Sequence, residues 1–418
     1  MKIIADLHIH SRFSRATSKD LDIINLEKYA RIKGLNLLGT GDFTHPQWLK
    51  ELKNSLVEDE TGILKTKTGF NFILQGEISL IYTQDGKGRR VHNVLLAKNF
   101  EVVEQINEAL LKKGRLDYDG RPIFNLSCIE FTEMMKNIDN DIEIIPAHVW
   151  TPWFSLFGSM SGFDSVEECF KEQAKHIHAL ETGLSSDPAM NWRLSQLDNF
   201  TLVSNSDLHS FWPWRIGREC NIFDIKPAYE HLIMALKTKN GFIGTIEVDP
   251  SYGKYHLDGH RLCRVCMSPQ DSIKNKNICP KCGKNLTIGV LHRVEELADR
   301  EEGFKPKNAV PFRSIIPLSE IISNLTGHAI STKKVWEEYY KLVSKERTEF
   351  DVLLSIELEE LKKLTDEKLA EAIIKNREGK IPIQPGFDGE YGYPVFNREI
   401  KKTEINQKHQ QKGLDDFC

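Results

Sequence analysis

An α/β fold, built on a mainly parallel sheet that closes as a barrel, is what residues 1–250 predict. Two observations carry that prediction. Strand-like apolar runs alternate with amphipathic stretches, as in a sheet wrapped by crossover helices. Ionisable residues then gather just past the C-terminal ends of those runs, the positions that surround one mouth in a barrel. With 418 residues the chain has room for one large domain and one or two smaller ones. A net charge of −4 argues against a generally basic nucleic-acid coat protein but allows a basic groove on one face. No apolar run approaches the ~20 residues that span a bilayer, and strand-like sequence begins at once, without a leader-like segment. The expectation is a soluble, intracellular protein with no membrane partner.

The first strand, residues 2–5, is the apolar run Ile3-Ile4-Ala5, and it leads into Asp6-Leu7-His8-Ile9-His10. Side chains alternate along extended backbone, so His8 and His10 project to one side and can grip one ion. Further strands are expected at 36–40, 70–82, 91–97, 142–147, 177–181, 201–204 and 242–248. Amphipathic helices are expected at 24–33, 102–112, 166–175 and 228–237, with a hairpin turn at 85–90 and a short loop at 139–141. Candidate ligands accompany the strands: Asp42 and His45 after the second, Glu77 and His92 within the next two, His148 after 142–147, and Asp207 with His209 after 201–204. His92 could equally be a satisfied core histidine and Asp207 a helix cap. His176 and His178 repeat the His-x-His spacing but open their strand, and are read as structural. Imidazole and carboxylate together suit Zn, Mn or Fe, and ions a few Å apart would activate water for phosphoester displacement.

Of eight cysteines, Cys128, Cys169 and Cys220 are scattered and read as small buried hydrophobes. Cys263-Arg-Val-Cys266 and Cys279-Pro-Lys-Cys282, with twelve residues between the pairs, form a four-cysteine zinc signature in a reducing compartment. Four thiolates leave no open position, so zinc there builds a surface instead of performing chemistry. His260, Arg261 and Arg264 flank the first pair; they offer phosphate contacts or an ordinary solvated face. The segment 251–290 is too poor in apolar residues for a core and needs this staple.

Residues 291–396 are charged and helical in pattern. Trp336, Tyr339, Tyr340, Leu342 and Val343 form one apolar-rich stretch. Two helices follow in 353–376, separated near Thr365-Asp366 with Thr365 as N-cap, and Pro385-Gly-Phe-Asp-Gly389 is a turn-rich exit. Residues 397–418 read as a flexible tail. Its end, Gln411-Lys-Gly-Leu414-Asp-Asp-Phe417-Cys418, fits the Gln-x-x-aliphatic-x-x-aromatic pattern of peptides that bind the DNA sliding clamp (PCNA), with Cys418 in place of the second aromatic. Trp150 and Trp153 follow His148, and Trp212 and Trp214 follow His209. They either pack in the core or line a pocket for an extruded base, with Arg193, Arg215 and Arg218 as partners for phosphates. The role of the run Glu181 to Arg193 does not follow from its chemistry.

The order His8-x-His10, Asp42, Glu77, His92, His148, Asp207-x-His209 resembles the PHP (polymerase and histidinol phosphatase) superfamily over residues 1–250. The resemblance implies a distorted (β/α)7 barrel with two or three divalent ions (Zn, Mg or Mn) at its mouth. His8, His10, Glu77 and Asp207 would hold one ion. Glu77 would bridge to a second held by His92 and His148, and His209 would belong to a third site. The usual Asp-His pair is here Asp42-Phe43, and Ser14-Arg15-Ala16 stands where a further histidine is usual, so Asp42 and His45 are expected to substitute. Asp207, Glu77 and His209 would be catalytic, with His209 protonating the departing oxygen.

A PHP barrel, a cysteine module (251–290), a helical DNA-binding region (291–396) and a clamp peptide (397–418), in that order, resemble the archaeal endonuclease Q family. This implies nicking of double- or single-stranded DNA on the 5′ side of uracil, hypoxanthine, xanthine or an abasic site, with one structural Zn and work at the nucleoid. The rivals are a histidinol-phosphatase-type phosphomonoesterase, which leaves the cysteines and tail unexplained, and a non-catalytic, clamp-tethered DNA-binding protein.

Overall fold

The structure, a computed structural model, describes residues 2–396. Its sheet begins with β1 (Lys2–Asp6), β2 (Leu37–Gly39), β3 (Asn71–Gln84), β4 (Lys87–Ala97), β5 (Glu143–Pro146), β6 (Ala179–Glu181) and β7 (Thr201–Val203). These seven follow one another around a curled, distorted barrel. β1, β2 and β3 pair in parallel, β3 to β4 and β4 to β5 are antiparallel, and β6 and β7 are parallel. An isolated bridge, Ile144 to Ile177, joins β5 to the approach of β6, and another, Ile9 to Leu208, closes the ring beyond β1. Closure falls there because the free edge of β1 is taken by β8 (Cys220–Asp224), antiparallel, which the alternation of sequence does not disclose. β9 (Phe242–Glu247) pairs with β8 and then with a short strand at Phe312–Ser314.

One apolar cluster shows that the barrel is filled. It takes Ile3 and Ala5 from β1, Leu37 from β2, Ile73 from β3, Val94 and Leu96 from β4, Ile145 from β5, Ala179 from β6 and Val203 from β7. The helix Tyr229–Thr238 plugs the end away from the histidines, where the Tyr229 hydroxyl lies within hydrogen-bond distance of the Leu96 and Asp141 carbonyls. The expected hairpin turn is shorter than read: the β3–β4 ladder runs to Gln84 and Lys87, leaving Asp85-Gly86 as the turn. The helix expected at 166–175 is α only from Val166 to Phe170 and tightens into a 3₁₀ turn, Lys171–His176.

Helices at Leu318–Thr326, Lys333–Leu342, Glu349–Leu354, Leu358–Leu364 and Glu367–Arg377 form the C-terminal region. Asp366, not Thr365, caps the last of them, accepting from the Leu369 amide. This region packs on the helix Ile23–Lys33. That helix ends at Gly34 with φ +105°, where a Cβ would lie 2.8 Å from Thr348 Oγ1. Beside it the ammonium of Lys33, 1% exposed, donates to Glu349 at 2.8 Å, and Glu349 also accepts from the Tyr339 hydroxyl. No helix among the described residues is long and apolar enough to cross a membrane.

Candidate metal centre

Past the end of β1, His8 and His10 turn their Nε2 atoms toward Glu77 and Asp207. Both nitrogens, with Asp207 Oδ1, are buried without a hydrogen-bond partner. His10 Nε2 lies 3.1 Å from Asp207 Oδ1 and 3.2 Å from Glu77 Oε2, and His8 Nε2 lies 3.4 Å from the same Glu77 oxygen. The other oxygen of Glu77 faces a second set, with His92 Nδ1 at 2.8 Å and His148 Nε2 at 3.3 Å. The β3–β4 register explains this meeting: Ser79 is opposite His92, and Glu77, two residues before Ser79, shares its face. Two groups therefore have ligand atoms within 4.8 Å of one another, His8–His10–Glu77–Asp207 and Glu77–His92–His148. Orphaned buried nitrogens converging on carboxylate oxygens are what a divalent cation satisfies, so the residues fit the metals that the sequence suggests.

Charge at this mouth is arranged for a cation. Burial works against a protonated His8, but the carboxylates of Glu181, Glu77 and Asp207 outweigh it and hold its pKa well above the usual value. Burial also opposes the Glu77 anion, yet His92, Arg121 and His8 keep its pKa well below normal. His92 and His209 go the other way, each pushed down to about 4, chiefly by burial.

Three residues of the mouth hold left-handed backbone: Asp42 (φ +43°), His148 (φ +32°) and Asp207 (φ +45°). Asp and His are among the side chains that tolerate this region, and it lets a strand end abruptly and swing its side chain inward. Glu181, at the end of β6, braces both sets. Its carboxylate accepts from His8 Nδ1 at 3.0 Å, the His148 amide at 2.7 Å and Asn205 Nδ2 at 2.8 Å. With Nδ1 carrying the hydrogen, the Nε2 lone pair of His8 is left for a ligand.

Among the described residues, Asp42 and His45 do not come together in a third donor set. Asp42 is spent on protein partners: Oδ1 faces His10 Nδ1 at 2.9 Å, and Oδ2 accepts from the Ser11 amide and hydroxyl and from Ser14 Oγ. His45 instead stacks on Phe13, 4.4 Å between centroids. His209 lies beside His10 at 4.8 Å but joins neither group.

The cysteine module also departs from expectation. Its cluster is His260, Cys263, Cys279 and Cys282, without Cys266. The strands Asp258–His260 and Val265–Met267 set His260 opposite Val265 and Gly259 opposite Cys266. Alternation then sends Cys266 to the other face from His260. The donor set is thus three sulfurs and one imidazole, which equally suits tetrahedral zinc.

Trp150 is buried, its indole donating to Asn191, and belongs to the core. Arg193 is likewise committed, forming two hydrogen bonds to Glu295 at 2.6 and 2.9 Å. Both side chains, proposed from the sequence as DNA contacts, are engaged within the protein. Trp153 is half-buried and packs on Tyr255. Trp212 and Trp214 stack at 5.4 Å and 5°, and Trp336 from the helical region joins them, 5.4 and 5.5 Å away. Arg215 is half-buried beside them, and Arg218 is held by the Ser206 carbonyl. Sequence reasoning missed Arg121, Glu181 and Asn205, which no spacing connects to the histidines. Gln411, Leu414 and Phe417 lie outside the described residues.

A curled barrel with two carboxylate-linked imidazole sets at its mouth defines a metal-dependent hydrolase of the PHP fold. The crystal structure of the lesion-specific endonuclease PfuEndoQ from Pyrococcus furiosus superposes with a TM-score of 0.85 at 34% identity, covering 97% of this chain and 98% of that one. A structure of endonuclease Q in complex with a 27-mer duplex carrying an abasic lesion at the active site matches at the same TM-score and identity, over 97% of this chain and 99% of that one. The chain belongs to the endonuclease Q family. The family model "MJ0043 C-terminal domain" matches residues 317–380. The protein MJ0043 of Methanocaldococcus jannaschii is 37% identical over 296 residues, 69% of this chain, and the match spans 35% of that longer relative.

Proposed function

We propose that this protein is a DNA repair endonuclease that hydrolyses a phosphodiester 5′ of a deaminated base or an abasic site. The observation that carries the reading is Glu77, shared between two imidazole-containing donor sets at the barrel mouth of a chain in this family. His8, His10, Glu77 and Asp207 would hold one divalent ion, and Glu77, His92 and His148 a second. Such ions supply activated water and neutralise charge on the phosphate. The protein's own contribution is position. Glu181 fixes the tautomer of His8 and the backbone of His148, and Asp42 turns His10. Trp212 and Trp214, on the loop that follows His209, stack with Trp336 of the helical region and offer faces on which a base could stack. A damaged, weakly paired base costs less to extrude, which supports selectivity. His260, Cys263, Cys279 and Cys282 would hold a structural Zn, and the peptide Gln411 to Phe417 would dock a sliding clamp near DNA.

The test is a labelled duplex with one uracil, hypoxanthine or abasic site, incubated with Mg²⁺ or Mn²⁺ beside undamaged DNA. A single nick 5′ of the lesion, lost in Asp207→Asn, is the expected result. Absence of nicking under every metal, with phosphomonoesters hydrolysed instead, would overturn it.

A further inference from the structure

Arg121 is a charged side chain at the mouth that belongs to neither donor set. Its Nη1 donates to Glu77 Oε2 at 3.2 Å, the oxygen that also faces His8 and His10, yet its side chain remains 28% exposed. Burial works against its charge, but Glu77, Asp207 and Asp119 outweigh that, so the guanidinium stays cationic.

The loop carrying it is locked against the ground where a third ion would need ligands. Asp119 Oδ1 accepts from the Arg121 amide at 3.2 Å and the Arg15 amide at 3.3 Å. The Gly120 amide donates to the Phe13 carbonyl, and its own carbonyl accepts from Thr44 Oγ1. A Cβ on Gly120 would lie 2.3 Å from Asp42 Oδ2 and 2.4 Å from Ser14 Oγ, so only glycine lets the loop come this close. Asp42 and Ser14 thus pack against backbone, and the next residue delivers a fixed positive charge beside Glu77.

We propose that Arg121 binds a non-bridging oxygen of the scissile phosphate, supplying from the protein the third positive charge that Asp42 and His45 do not build. The inference rests on the phosphodiesterase reading above. A guanidinium suits the task because its planar fork matches phosphate oxygens and holds its charge at any working pH. Held in advance, it costs little reorganisation as charge develops on the phosphate.

Arg121→Gln is compared with the unchanged full chain, both loaded with Mn²⁺. Single-turnover nicking of an abasic duplex is expected to fall about 100- to 1000-fold, with Mn²⁺ content and thermal midpoint unchanged. Binding of inorganic phosphate, followed by calorimetry, is expected to weaken about tenfold or more, and Arg121→Lys to recover part of both. A glutamine variant that binds phosphate as tightly as the unchanged protein overturns the proposal. So does one that loses Mn²⁺ in step with rate, since the arginine would then only steady Glu77. If the unchanged protein does not nick DNA, the endonuclease reading fails, and the phosphate titration still decides the arginine.

Discussion

At the scale of single residues, Glu181 joins parts of the mouth that the sequence keeps far apart. It touches His8 through Nδ1 and His148 through the backbone amide, one member of each donor set. Glu181→Gln keeps its size but can present a donor to His8 Nδ1, which favours the wrong tautomer. Manganese affinity, measured by calorimetry, is expected to fall about 10- to 100-fold in both sets, with little change in thermal midpoint. Unchanged affinity would show that packing alone orients His8. The histidine pair was legible because strand alternation turns an i, i+2 spacing into geometry. Glu181 and Arg121 were not, because their relation to the pair exists only after the barrel closes. Trp150 and Arg193 illustrate the converse: residue types that suit DNA, consumed by Asn191 and Glu295.

At the scale of elements, β8 is among the strands that alternation did not reveal. Its entry residue Glu219 is buried against Glu247 at the end of β9, and both face Ser204 Oγ, at 2.9 and 2.8 Å. A hydroxyl has one hydrogen to give, so one carboxyl must carry a proton for both contacts to hold. Burial, then the neighbouring Glu247, drives the Glu219 pKa well up, and burial raises Glu247 from 4.5 to about 8. Between 4.5 and about 8 the unfolded chain binds fewer protons than the folded one, so stability falls as pH rises through that window. Glu247→Gln is expected to flatten this dependence and to raise the thermal midpoint at pH 8 by about 2–4 °C. A variant whose midpoint falls with pH as steeply as before would place the sensitivity elsewhere. The helices expected at 24–33, 102–112 and 228–237 lie within two residues of Ile23–Lys33, Phe100–Leu111 and Tyr229–Thr238, because amphipathic spacing is local, whereas 353–376, read as two helices, is three. Short strands such as β8 depend on partners distant in sequence, and the parity of Cys266 depended on a hairpin register that its spacing does not encode.

At the scale of the whole molecule, Lys33 and Glu349 join the barrel to the helical region through a buried ion pair. Breaking such a pair from one side leaves an uncompensated charge and costs about 3–5 kcal/mol. Lys33→Met is therefore expected to split thermal unfolding into two calorimetric transitions, with Glu349→Gln added in the double variant restoring much of the loss. A single unshifted transition in Lys33→Met would show that apolar packing alone holds the two together. The same ammonium also donates to the Pro213 carbonyl, between Trp212 and Trp214. One nitrogen thus has a grip on the helical bundle and on the loop that borders the mouth. Whatever orders that loop must then slow amide exchange in the helix Lys333–Leu342, and whatever grips the helix must tighten the mouth by the same factor, because such coupling is reciprocal.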